Sequence, residues 1–213
     1  MQKVIVIQGD SITDAGRNKD IPMSRGTGYA QMVAGQLGLN APGEYVVYNR
    51  GISGNRIVDL YARIKKDMIN LKPDYVSILI GVNDVWHEYN YQNGVSPEKY
   101  EKLYGMLIEE LREALPKVKL MLLEPFILPG NKTVSTEEHP DRWEFLHGGV
   151  LAQAAAAKRV AEKYALPFIP LQEKFEHMDA IAPGEWTGDG VHPTAAGHAL
   201  IQEQWLKAFE ELK

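Results

Sequence analysis

Three short stretches carry side chains whose types and spacing could share one reaction: Gly9-Asp10-Ser11, Gly81-Val82-Asn83-Asp84 and Asp189-Gly190-Val191-His192-Pro193. A histidine works as a base at Nε2 only when an acceptor holds its Nδ1–H. Asp189, three residues before His192, can do this inside one tight turn, with Gly190 relaxing the backbone between them. Pro193 then fixes the turn and opens a helix, so His192 sits on a rigid element. The same five residues also read as a plain loop ahead of a helix-starting proline. Ser11 follows the apolar run Val4-Ile5-Val6-Ile7 and reads either as a helix cap or as a hydroxyl that attacks an electrophile. The two are compatible, because a helix start offers backbone N–H groups to a developing oxyanion. Ser53, in Gly51-Ile52-Ser53-Gly54, is a rival one residue short of the Gly-x-Ser-x-Gly spacing, which the chain lacks. Asn83 is a turn former or a side-chain amide that donates to an oxyanion.

These stretches need a scaffold that brings them together. Residues 4–7, 45–48, 75–80, 119–125 and 167–171 are short apolar runs without in/out alternation, the pattern of strands covered on both faces. Helical spacing lies between them. Ser96-Pro97-Glu98 supplies a cap, a proline at the first helical position and an early acid. Tyr100, Leu103, Tyr104, Leu107, Leu111 and Leu115 follow as an apolar stripe. Ile57, Leu60, Tyr61, Ile64 and Met68 repeat the spacing up to Lys72-Pro73. Gly148 to Leu166 is an alanine-rich helix, and a last helix follows Pro193. Strand and helix alternate throughout, which predicts an α/β fold: one doubly wound, five-stranded parallel sheet between two helix layers, as a single domain over residues 1–213. The polar segments 16–28 and 129–143 follow strands and belong at the carboxyl edge, where such sheets bind ligands.

Composition narrows the field. The chain has 213 residues, 45% hydrophobic and 24% charged, with a net charge of −5 and no cysteine. A nucleic-acid partner held by a basic surface is not expected, nor is a membrane span. Disulfides, thiolate nucleophiles and cysteine metal sites are excluded. The four apolar residues after Lys3 are too few for a secretory signal, so a cytoplasmic location is expected. Apolar helix faces leave room for a homo-oligomer.

The blocks Gly9-Asp10-Ser11-Ile12-Thr13-Asp14, Gly51-Ile52-Ser53-Gly54-Asn55, Gly81-Val82-Asn83-Asp84 and Asp189-Gly190-Val191-His192-Pro193 occur in the order seen in the SGNH (GDSL-type) hydrolases, which the chain resembles from residue 4 to about 200. Within that family, residues 49–55 and 80–86 are similar in wording to bacterial carbohydrate esterases of the acetylxylan-esterase type. The resemblance implies a flavodoxin-like three-layer sandwich and a serine esterase without metal or organic cofactor. It implies Ser11 as nucleophile, His192 as base and acid, and Asp189 as the group that orients His192. The oxyanion hole it implies comprises the Ser11 and Gly54 backbone N–H groups and the Asn83 side chain. The expected substrate is a short-chain ester, acetyl above all, on a small molecule or an oligosaccharide such as acetylated xylo-oligosaccharides. Asp10, Trp86 and Trp186 are candidate substrate contacts; the aromatic pair could stack on sugar rings or simply fill core.

Other readings remain at this level. A lysophospholipase or thioesterase role would require a preference for long acyl chains. A metal-dependent phosphoesterase would use Asp10, Asp14, Asp189 and His192 as ligands. A flavin or small-ligand module on the same sheet is a third class, although residues 9–18 lack a phosphate-cradling glycine pattern. Of the remaining histidines, His198 is expected to be a surface or packing residue of the last helix, and His87 to line the pocket.

Overall fold

The computed structural model describes residues 2–213. Five strands, β1 (Lys3–Gly9), β2 (Tyr45–Asn49), β3 (Tyr75–Leu79), β4 (Lys119–Leu123) and β5 (Phe168–Ile169), form one parallel sheet in the order β2-β1-β3-β4-β5. All five predicted strands are present, and β5 is shorter than residues 167–171 suggested.

The continuous apolarity of the strands follows from burial on both sides. Ile5, Ile7, Leu79, Met121 and Leu123 pack on one face, where helix α2 (Tyr29–Asn40) and helix α9 (Ala195–Leu212) cover them. Val6, Val76, Ile78, Leu120 and Leu122 pack on the other. There they meet α3 (Ile57–Ala62), α4 (Ile64–Asp67), α6 (Pro97–Ala114) and the small residues Ala156, Ala157 and Ala161 of α7 (Arg142–Lys163). Three short or polar helices complete the set: α1 (Ser11–Asp14), α5 (Val82–Tyr91) and α8 (Gln172–Ile181).

Two helix boundaries differ from expectation. The stripe from Ile57 to Met68 is broken at Arg63, whose backbone (φ −114°, ψ 15°) separates α3 from α4. The Arg63 side chain is occupied at the sheet edge, as described below, so tertiary contacts set the break. Helix α7 begins at Arg142 and runs through Gly148-Gly149, where Gly149 packs on Val85 with no room for a side chain. The glycine pair marks a close crossing with α5 and not a helix start.

β1 lies between β2 and β3, so the segments leaving all three converge at one carboxyl edge: Ser11 after β1, residues 51–55 after β2 and residues 81–84 after β3. Thr194 caps α9 and anchors the turn that carries His192 to the same edge. Among the described residues no helix is long and apolar enough to cross a membrane.

Candidate active site

Residues from the two ends of the sequence meet here. Ser11 Oγ lies 2.9 Å from His192 Nε2, and His192 Nδ1 lies 2.8 Å from Asp189 Oδ2. The carboxylate can only accept, so Nδ1 carries the hydrogen, and Nε2 of an uncharged ring is left to accept from the Ser11 hydroxyl. Asp189 is held from several sides. Its Oδ1 accepts the backbone N–H groups of Val191 (3.0 Å) and His192 (2.9 Å), and its Oδ2 also meets Lys132 Nζ at 2.9 Å. Partial burial works to raise this carboxyl, but hydrogen bonds from the His192 N–H, the imidazole, the Lys132 ammonium and the Val191 N–H outweigh it. The group is held well below the ordinary carboxylate range and stays charged. Gly190, between acid and histidine, takes φ +100°, a conformation that favours glycine.

The second requirement is a set of donors for an oxyanion. Gly51 cannot be one, because its N–H already donates to Asn49 Oδ1 at 2.9 Å. The Ser53 N–H (3.0 Å) and hydroxyl (3.1 Å) both donate to Asp14 Oδ2, and that hydroxyl has no histidine partner. The N–H groups of Gly54 and Ser11 are not spent on any protein acceptor among the described residues. The Asn83 amide donates one N–H to Asn55 O at 3.1 Å and keeps a second one free. That bond ties the end of β3 to the turn after β2. A cavity of about 530 Å³, lined by Ser11, Ser53, Thr27, His192 and His198 among others, opens at the Ser11–His192 pair.

Residues 7–200 match the GDSL-like lipase/acylhydrolase family. The chain belongs to that family. This GDSL-like hydrolase is a carboxylic ester hydrolase with the SGNH fold. It is 34% identical to an acetylxylan esterase of Geobacillus stearothermophilus, over 97% of this chain and 93% of the relative. The crystal structure of Axe2, an acetylxylan esterase from Geobacillus stearothermophilus, superposes with a TM-score of 0.80 at 33% identity, covering 97% of this chain and 93% of Axe2. LAE5, an α/β hydrolase from the metagenome of Lake Arreo, superposes with a TM-score of 0.84 at 31% identity, covering 99% and 96%. Two further Axe2 structures are catalytic mutants in which a serine or an aspartate is replaced by alanine.

The other candidates of this GDSL-like hydrolase take no part in the Ser11–His192–Asp189 line. Asp10, 1% exposed, has no surface to offer a substrate; its Oδ1 accepts the Ile12 N–H at 3.0 Å and caps α1. Trp86 lines a separate cavity of about 190 Å³ with Tyr89, Asn90, Asn131, Lys132 and Arg142. Trp186 packs on the core, and its carbonyl accepts the Thr194 N–H. His87 meets Tyr91 edge-on, away from the Ser11 cavity. The four groups of the metal reading do not converge: Asp14 holds Ser53, Asp10 holds Ile12, and Asp189 is filled by N–H donors. Among the described residues no three His, Cys, Asp or Glu side chains are grouped to hold a metal ion.

Three residues support the site through contacts that the sequence did not reveal. Arg63 donates to Asn55 Oδ1 (2.8 Å), Arg50 O (2.9 Å) and Gln8 Oε1 (2.8 Å), and pairs with Asp67 (2.9 Å), stitching the post-β2 turn to β1. Asp14 holds that turn from the other side. His198 is only 9% exposed, and its Nδ1 accepts the Tyr29 N–H at 3.2 Å. Burial, aided by nearby His192, lowers it to about 4, so it is a neutral wall of the cavity and not a surface residue.

Proposed function

We propose that this hydrolase is a serine esterase that removes short acyl groups, acetyl above all, from carbohydrates such as acetylated xylo-oligosaccharides. One observation carries the reading: the hydrogen-bonded line Ser11–His192–Asp189, at 2.9 and 2.8 Å. Residues 1–213 act as one catalytic domain, in the cytoplasm, on a small-molecule or oligosaccharide ester. The carbohydrate preference is supported by the similarity to Axe2, described as an acetyl-xylooligosaccharide esterase.

In this reading His192 Nε2 takes the Ser11 proton as Oγ attacks the ester carbonyl. The tetrahedral oxyanion is met by the Ser11 and Gly54 N–H groups and by Asn83. Collapse breaks the bond to the alcohol oxygen, which leaves with the proton from His192. Water, deprotonated by the same ring, then releases the acid and frees Ser11. Asp189 stays ionised throughout and stabilises the imidazolium.

The test has two parts. Ser11→Ala should fold normally and lose nearly all turnover of p-nitrophenyl acetate; turnover at the wild-type rate refutes the nucleophile. Rates should fall steeply from acetate to octanoate esters, with acetate released from acetylated xylo-oligosaccharides. A preference for octanoate transfers the protein to the lysophospholipase or thioesterase class.

A further inference from the structure

Asp189 has one more partner than an orienting acid requires. Its Oδ2 receives both the His192 ring and the Lys132 ammonium, at 2.8 and 2.9 Å. Lys132 does not arrive there as a loose surface side chain. Residues 128–133 are docked flat on the Asp189-Gly190 turn: Leu128 N–H donates to Gly190 O (2.8 Å) and Lys132 N–H to Asp189 O (3.1 Å). Gly130 makes the approach possible, since a Cβ there would lie 2.3 Å from Asp189 C and Gly190 N. Thr133 is fully buried and donates its hydroxyl to Leu128 O at 2.7 Å, which closes the turn that presents Lys132. The polar segment 129–143 therefore begins as a brace against the acid.

We propose that Lys132 is a positioning residue of the reaction: its ammonium fixes the Asp189 carboxylate and holds the His192 ring in its uncharged, proton-accepting form. The proposal rests on the Ser11–His192–Asp189 reading above. Two effects act in the same direction. A cation on Oδ2 weakens that oxygen as an acceptor for Nδ1–H, and it repels the positive charge that His192 gains on protonation. The Asp189 side chain is only 12% exposed, so water screens the contact less than in an ordinary surface pair; the Lys132 side chain at 57% keeps the effect moderate. The other ionisable groups facing His192 are Asp10, behind Ser11, and His198, on α9. Both feel the charge on His192; neither touches Lys132, so they are common to the wild type and to every variant at residue 132.

The experiment is the pH dependence of kcat/KM on p-nitrophenyl acetate, whose acidic limb reports the free enzyme's base. Lys132→Met and Lys132→Gln should move that limb up by about 0.5–1 pH unit, lowering kcat/KM roughly 3- to 10-fold on its acidic side. Lys132→Arg should keep the wild-type limb. An unmoved limb in both neutral variants, or an equal displacement in Lys132→Arg, overturns the proposal and leaves the triad standing. Full turnover by Ser11→Ala in the same assay overturns the triad, and the role of Lys132 with it.

Discussion

Asp10 sits directly before Ser11 and is buried at the carboxyl edge. Burial lifts its carboxyl to about 7, against the lowering effects of the Ile12 N–H and of His192, and its Oδ2 finds no partner in the protein. The protonated form is therefore favoured by folding. Its stabilising contribution is complete below about pH 4, the ordinary carboxylate range, and is lost as pH rises through about 7. Asp10→Asn keeps an oxygen for the Ile12 N–H and cannot ionise. Between pH 5 and pH 8 the melting temperature of the wild type should fall relative to that of Asp10→Asn. A difference between the two that is constant over this range would show that Asp10 does not titrate there.

At the scale of elements, the site is held by turns more than by helices. The turn after β2 is pinned by Asp14 from one side and Arg63 from the other. The Asp189-Gly190 turn is pinned by residues 128–133. Helix α9 starts from Thr194, whose hydroxyl accepts the Gly197 N–H and donates to Glu185 O. Gly130→Ala tests the brace directly, because its new methyl would collide with the backbone of Asp189 and Gly190. Displacing the acid by a fraction of an ångström should lower kcat/KM about 10- to 100-fold. Far-UV circular dichroism should stay as in the wild type. Unchanged activity would mean that the turn yields without carrying Asp189 along.

The whole molecule is a sheet with a hydrophobic core on each face. Trp205 of α9 is fully buried, stacks on Phe209 and donates its indole N–H to Ser77 Oγ of β3 at 2.9 Å. This bond lies in the core, outside the Ser11 site. Trp205→Phe should strand the Ser77 hydroxyl and leave a void, costing about 2 kcal/mol. For a chain of this size that lowers the melting temperature by about 4–8 °C. Turnover of acetate esters at 25 °C should remain at the wild-type level, since the carboxyl edge does not depend on that bond.

The sequence by itself determined the parts that local pattern encodes. Apolar runs buried on both faces marked the five strands, and an acid three residues before a histidine marked a pair that one turn can assemble. Motif position alone implied the Gly54 N–H, whereas only the structure shows that Asn49 occupies the N–H of the neighbouring Gly51. The four blocks in order placed Ser11 and His192 in one family, yet their 2.9 Å contact exists only because strand order β2-β1-β3 gathers three loops beside the start of α9. Tertiary structure alone decided the rest. Arg63 lay unremarked inside a helical pattern and Lys132 inside a polar segment, His198 was expected to be a surface or packing residue of the last helix, and Asp10 a substrate contact. Their roles come from hydrogen bonds and burial between segments far apart in the chain, and such partners leave no periodic trace in the residues that surround each of them.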